Sequence, residues 1–154
     1  KGIKEFTNIQ CSLKWPNDIM LNNKKIGGIL IETKNKNNDT YSVIGIGINI
    51  NQQEIPEELQ SIASSLRIEN SNPIQREPLL AFILNEFEKL YKSNTDEWVA
   101  TWKKYCNHMN KKITFHKNDT LLEGYFINID ANGNAIINID SKETLISSGV
   151  LEIS

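Results

Sequence analysis

The stretch LKWPNDIMLNNKKIGGILIE, residues 13–32, gathers a tryptophan, a proline, a paired Asn-Asp, two neighbouring lysines and a double glycine within twenty residues. Its local reading is a hairpin. Ile9 to Lys14 is expected to form a short strand, stopped by Trp15-Pro16-Asn17-Asp18 because proline restricts the residue before it and Asn and Asp favour turns. Ile19, Met20 and Leu21 then lead to Asn22-Asn23, a hairpin signal, and Lys25 to Thr33 returns as the second arm.

Outward from the hairpin, the polar run Asn35 to Thr40 reads as a loop tip, and Tyr41 to Ile50 as a strand. That strand is too rich in Ile and Val to be exposed on both faces, so a central place in a sheet is expected for it. Upstream, KGIKEFTNIQ lacks an initiator Met and reads as though a helix had just ended, so a piece of a longer protein is expected. From Pro56, Leu59, Ile62, Ala63 and Leu66 recur at helical spacing behind Glu57-Glu58, acids suited to a first turn. Leu79, Leu80, Ile83, Leu84, Phe87 and Leu90 predict a longer helix after Pro78, and Trp98, Val99 and Trp102 predict another over Thr95 to Cys106, again behind acids, Asp96-Glu97. From Lys111 the period returns to two. Five short apolar runs, broken at His116 to Asp119, Asp130 to Gly133 and Asp140 to Lys142, predict a small β-barrel that leans on the preceding helices. The fold class expected is therefore α+β, a partial mixed β-sheet packed on helices and then a small barrel.

With 154 residues, 39% of them hydrophobic, the chain can bury a core of ordinary domain size. Its 17 basic and 19 acidic side chains leave a net charge of −2, which offers no uniformly positive surface to nucleic acid. Cys11 and Cys106 are too few for a disulfide scaffold and suit a reducing compartment. No apolar run reaches the roughly 18 residues of a membrane span and no signal peptide opens the chain, so a soluble cytoplasmic protein is expected. His108 and His116 have no Cys or acidic partners at ligand spacing, which argues against a metal site there.

Glycine within a strand weakens it and usually marks a bulge or a close approach to the backbone. Gly27, Gly28, Gly45 and Gly47 lie in two adjacent predicted strands. Should those strands pair, the glycines open a floor without side chains, suited to a flat ligand. The plainer reading is a pair of bulges beneath a crossing helix. GIGIN is no dinucleotide fingerprint, since the third glycine and the receiving helix are absent. Lys14, Lys24 and Lys25 singly read as solvated surface, yet Lys25 sits at the edge of that floor and Lys14 precedes a turn that presents Asn17 and Asp18. Two ammonium groups, an amide and a carboxylate beside a bare floor make a site for an anionic ligand and a metal-bound phosphate.

KWPND, the Lys-x-x-Gly-Ile-Leu-x-Glu strand that follows it and the Gly-x-Gly-Ile-Asn strand stand in an order and spacing that resemble the signature of biotin protein ligases. PEEL with IASSL is similar to that family's Ala-Thr-Ser-Leu helix, and the last 44 residues resemble its SH3-like carboxy-terminal barrel. The resemblance implies a class II synthetase-like ligase fold, with residues 1–110 as the end of a catalytic domain and 111–154 as the barrel. It implies an enzyme that activates biotin with ATP and Mg²⁺ as biotinyl-5'-AMP and attaches it to a lysine of a carboxylase carrier domain; a homodimer is within what it allows. Carried over by position, Lys25 is the catalytic residue and contacts biotin. Gly28, Ile29, Leu30, Gly45 and Gly47 form the biotin floor. Lys14, Asn17, Asp18 and Asn49 lie on the ATP side, with Asp18 a helper in holding Mg²⁺. Trp15 and Pro16 shape the turn. The family's Gly-Arg-Gly-Arg-x-Gly-Arg loop and its Ser-Thr-Asn type motif are not in this sequence, which leaves a non-catalytic module binding biotin or a carrier domain as the alternative. Lipoate ligation shares the chemistry but is not expected with KWPND and this GIGIN strand.

Overall fold

In the computed structural model, which describes residues 1–37, 39–117 and 120–153, the first elements are α1 (Gly2–Thr7), β1 (Ser12–Lys14), β2 (Asp18–Leu21), β3 (Lys24–Lys36) and β4 (Asp39–Ile48). A 3-10 turn at Glu57–Leu59 leads to α2 (Leu66–Asn70), α3 (Arg76–Tyr91) and α4 (Thr95–Tyr105). The chain closes with β5 (Lys112–Lys117), β6 (Thr120–Ile129), β7 (Ala135–Ile139), β8 (Lys142–Ile146) and β9 (Leu151–Ile153). It divides into two compact units, Lys1–Cys11 with Asn17–Phe82, and Ser12–Pro16 with Ile83–Ser154.

In the first unit β2, β3 and β4 pair antiparallel. The β2–β3 turn is the expected Asn22-Asn23, at φ 49° and 64°, a left-handed pair that Asn tolerates and that matches the twist of a hairpin. The register then slips: Ile19 faces Gly27 but Met20 faces Lys25, so Ile26 has no partner. This is a β-bulge, and Ile26 uses it to bury its side chain completely. Gly27 is fixed by packing, because a Cβ there would lie 2.3 Å from the Gly47 carbonyl oxygen. Lys25 also bonds outside the hairpin. Its N–H donates to Ile62 O at 2.8 Å and its carbonyl accepts from Ser64 N–H at 3.0 Å, a parallel bridge centred on Ala63 that makes the pairing mixed.

Three expectations are corrected. The helix read through Leu59, Ile62, Ala63 and Leu66 is broken, since Ile62 ends a turn, Ala63 forms an isolated bridge with Lys25, and α2 begins only at Leu66. Ser65 sets that start as the N-cap: its Oγ accepts from Ile68 N–H at 3.1 Å and donates to Gln52 O at 2.7 Å. The opening residues are themselves helical, closed by Asn8 in a left-handed cap, and β1 is correspondingly shorter than the strand read from Ile9. Finally, β4 is the last strand of its sheet and not a central one. Val43 is 67% exposed and Ile44 and Ile46 each 41%, as no element among the described residues covers them.

The second unit holds an antiparallel five-stranded sheet in the order β8-β7-β6-β5-β9, which contains all five expected strands. Its core is built from Ile113, Phe115, Phe126, Ile137 and Leu151, against which Val99 and Trp102 of α4 pack. Trp15 belongs to the same core: its ring is 3% exposed and its Nε1–H donates to Gly133 O at 2.9 Å. Trp15, which opens the turn read there, is thus also an anchor. The turn expected at Asn118-Asp119 lies outside the described residues. No helix among the described residues is long and apolar enough to cross a membrane.

Beside this core His108 is fully buried, edge-on to Phe126 at 4.3 Å between ring centres and to Trp102 at 6.2 Å. Its Nδ1 lies 2.9 Å from Asn107 Oδ1 and 3.3 Å from Cys106 Sγ. Burial first, then the charges of Lys14 and Lys111, depress its pKa to about 4. The unfolded chain takes up this proton near pH 6.5, the folded chain only near 4. The neutral imidazole therefore contributes stability in full above pH 6.5 that is lost as the pH falls to about 4, by about 3 kcal/mol at most. Urea midpoints between pH 7 and 4 should fall for the wild type and fall distinctly less for His108→Leu. Parallel pH profiles would remove His108 as the cause.

Candidate functional site

A cleft of about 480 Å³ opens on the first unit, lined by Asn17, Gly28, Ile29, Leu30, Gly45, Ile46 and Gly47. Its floor follows from register. Gly28 pairs with Gly47 and Leu30 with Gly45, and since directly paired residues share a face, these four lie on one side of the β3–β4 ribbon. Ile29 and Ile46 pair on the other side and border the cleft.

Two classes of glycine separate here. Gly27 has no room for a side chain, whereas a Cβ would find nothing closer than 3.7 Å at Gly45, 4.0 Å at Gly47 and 3.5 Å at Gly28. Nothing among the described residues requires the last three to be bare. The opening they leave faces outward, so packing alone does not account for them.

The bulge decides where Lys25 points. In an unbroken strand Lys25 would share a face with Gly27; the extra residue, Ile26, turns it onto the face of Gly28. A Cβ on Gly28 would lie 3.7 Å from Lys25 Cε and 3.8 Å from Asp18 Oδ1, so ammonium and carboxylate converge over the first glycine of the floor. They form an ion pair of 2.6 Å, with the lysine side chain half exposed. A directed cation beside the bare Gly28–Gly47 end of the floor can hold a carboxylate or phosphoryl oxygen, the chemistry expected of Lys25.

Asn17 fastens the KWPND turn to β3. Its Nδ2 donates to Ile29 O at 2.6 Å and its carbonyl accepts from Ile29 N–H at 3.0 Å. Asn49 lies outside the lining residues and acts as a tie: its N–H donates to Ile26 O at 2.7 Å, its Nδ2 to Ser64 O at 3.0 Å, and its carbonyl accepts from Leu66 N–H at 2.9 Å. Lys14 belongs to the second unit and is not among the cleft residues. Of the expected site, then, Lys25, Asp18, Asn17, Gly28, Ile29, Leu30, Gly45 and Gly47 come together. Asp18 alone makes no metal site. Its carboxylate is engaged by Lys25, and no group of three or more His, Cys, Asp or Glu among the described residues could hold an ion.

Sequence reasoning missed Glu69. Its Oε1 accepts from Ser64 Oγ at 2.6 Å and its Oε2 from Asn22 Nδ2 at 2.5 Å. These bonds, the one from Ser64 foremost, hold its carboxyl below the usual range. Asn22 and Glu69 are 47 positions apart, and no spacing rule links them.

Residues 1–49 match the Biotin/lipoate A/B protein ligase family. The chain is 33% identical over 160 residues to the bifunctional ligase/repressor BirA of Bacillus subtilis, covering 99% of this chain and 49% of that protein. It is 27% identical over 133 residues to BirA of Escherichia coli, covering 83% of this chain and 41% of that one. It thus spans about half the length, or less, of these relatives. Among solved structures, the biotin protein ligase of Aquifex aeolicus superposes with a TM-score of 0.85 at 27% identity, over 99% of this chain and 69% of the other. The same protein in complex with biotin and ATP superposes at 0.79, over 99% of this chain and 66% of the other. By sequence and by fold, the chain is similar to the BirA ligase/repressors and to a solved biotin protein ligase over nearly its whole length.

Proposed function

We propose that the protein carrying this chain is an ATP-dependent biotin protein ligase. The observation that carries the reading is the Lys25–Asp18 pair set over the Gly28–Gly47 floor. In this reading biotin lies along Gly28, Leu30, Gly45 and Gly47, flanked by Ile29, with its carboxylate toward Lys25. A carboxylate oxygen attacks the α-phosphorus of ATP and pyrophosphate leaves. Lys25 is the fixed cation beside the oxygens on which charge builds, and it then holds the biotinyl-5'-AMP. A lysine amine of a carboxylase carrier domain attacks the acyl carbon, loses its proton, and AMP leaves with the bonding pair.

Asn17, Asp18 and Asn49 keep their assignment to the nucleotide side as the scaffold of that side, since Asn17 and Asp18 bond Ile29 and Lys25 of β3 and Asn49 bonds Ile26 and Ser64. Lys14 completes that assignment. Mg²⁺ enters this reading only as the companion of the nucleotide phosphates, with no step passing through it. The catalytic part is taken as residues 1–110 and the barrel as 111–154. The protein is taken as cytoplasmic, with no nucleic-acid or membrane contact from this segment, in keeping with its net charge of −2. A homodimer is compatible with the edge position of β4.

The test is biotin-dependent exchange of labelled pyrophosphate into ATP by the protein at its full length, followed by transfer of labelled biotin to a purified carrier domain. Both are expected. Biotin binding without exchange would replace the ligase by a non-catalytic biotin module, and exchange with lipoate in place of biotin would reassign the substrate.

A further inference from the structure

We propose that Glu69 is a positioning residue for Lys25, its carboxylate pinning the Asn22 turn and Ser64 so that the lysine main chain is clamped from both sides. The inference rests on the ligase reading for its catalytic consequence.

Lys25 projects a half-exposed side chain from a bulge, the least regular point of the hairpin, and its ammonium pairs with Asp18. A side chain with four rotatable bonds is directed only as well as the backbone beneath it is held. Two segments hold that backbone. One is the Asn22-Asn23 turn, three residues upstream. The other is the short segment Ile62 to Ser64, bridged at Ala63, which bonds both the N–H and the carbonyl of Lys25 at 2.8 and 3.0 Å. Neither belongs to a broad sheet, and one side chain joins them: Glu69 accepts from Asn22 at 2.5 Å with one oxygen and from Ser64 at 2.6 Å with the other.

The network continues to the adjoining strand end. Ser64 O also accepts from Asn49 Nδ2 at 3.0 Å, and Asn49 N–H donates to Ile26 O, the residue after Lys25. An ionised carboxylate suits this position because two donors meet it at once and hydrogen bonds to a charged acceptor are the stronger kind. A glutamine can keep both contacts only by accepting from Asn22 with its oxygen and donating its NH₂ to Ser64 Oγ, and it loses the charge assistance of both bonds.

The test uses Glu69→Ala and Glu69→Gln, alone and each with Lys25→Ala, in the protein at its full length. Amide hydrogen exchange at Lys25 and Ser64 should accelerate about tenfold or more in Glu69→Ala and less in Glu69→Gln, with the β7 amides unmoved. In pyrophosphate exchange, kcat should fall about tenfold for Glu69→Ala while KM for biotin stays within about twofold, because misdirection of Lys25 is felt mostly in the transition state. In the Lys25→Ala background the same substitution should cost nothing further. Unchanged exchange at Lys25 and Ser64 would overturn the proposal, as would an equal loss of kcat with and without Lys25. A protein without any biotin-dependent activity would sink the ligase reading, and the hydrogen-exchange arm would still decide whether Glu69 holds Lys25.

Discussion

Lys25→Ala is expected to cut biotinyl-adenylate formation by about a hundredfold or more, the usual cost of removing one preorganised charge donor from a developing negative charge. The fold should survive. The lysine side chain is half exposed, and its partner Asp18, with 21% of its side chain exposed, keeps some access to water. The backbone bonds to Ile62 and Ser64 do not depend on the side chain. Biotin affinity should weaken much less than the rate, because the ground-state carboxylate carries charge that water also stabilises, whereas the transition state concentrates charge where only Lys25 is directed. Lys25→Arg is no conservative repair, since a planar guanidinium over Gly28 needs more room than an ammonium and aims its donors differently. Initial rates of pyrophosphate exchange at saturating biotin and ATP, with thermal melts alongside, provide the check. A rate within a few-fold of wild type would take Lys25 out of the chemistry.

How much of this was legible beforehand depends on the range of the interaction involved. The hairpin was readable because Asn22-Asn23 and the alternation on either side are local signals. The helices of residues 76–105 and the five short strands after them were readable from hydrophobic period alone. What escaped are pairings at long separation. Glu69 with Asn22, Trp15 with Gly133, and the parallel bridge of Lys25 with Ala63 each depend on where the chain returns to itself.

The broken helix at residues 62–66 is a case of two signals competing. Leu59, Ile62, Ala63 and Leu66 have helical spacing, but Ser64 and Ser65 are better used as an edge contact for Lys25 and as a cap, and those uses exclude a helix through them. The error over β4 has another origin. Its Ile and Val content predicts burial, and the strand is bare among the described residues, so composition correctly marks a face that calls for cover without saying what supplies it. The site was partly legible for a related reason: the glycines and Lys25 are close in sequence, but the bulge that puts them on one face becomes visible only when the register is known.

Gly47→Val offers the sharpest separation between packing and ligand binding. A Cβ at Gly47 meets only the Gly28 carbonyl oxygen, at 4.0 Å, an ordinary contact. Valine favours strands and glycine weakens them, so the melting temperature should hold or rise slightly. Directly across the ribbon from Gly47 stands Gly28, the residue over which Lys25 and Asp18 converge. An isopropyl group there would stand on the floor where a flat ligand has to lie, and a rigid β-branched side chain in a strand cannot swing aside. Biotin affinity is therefore expected to fall by about a hundredfold or more, since steric exclusion from a close-packed site also costs the contacts around it. Calorimetric titration with biotin, alongside a melt, reads both quantities on one protein. A folded Gly47→Val protein that binds biotin as tightly as wild type would make the floor structural. It would also leave the bareness of Gly45 and Gly47, for which the described residues give no cause, without a ligand to explain it.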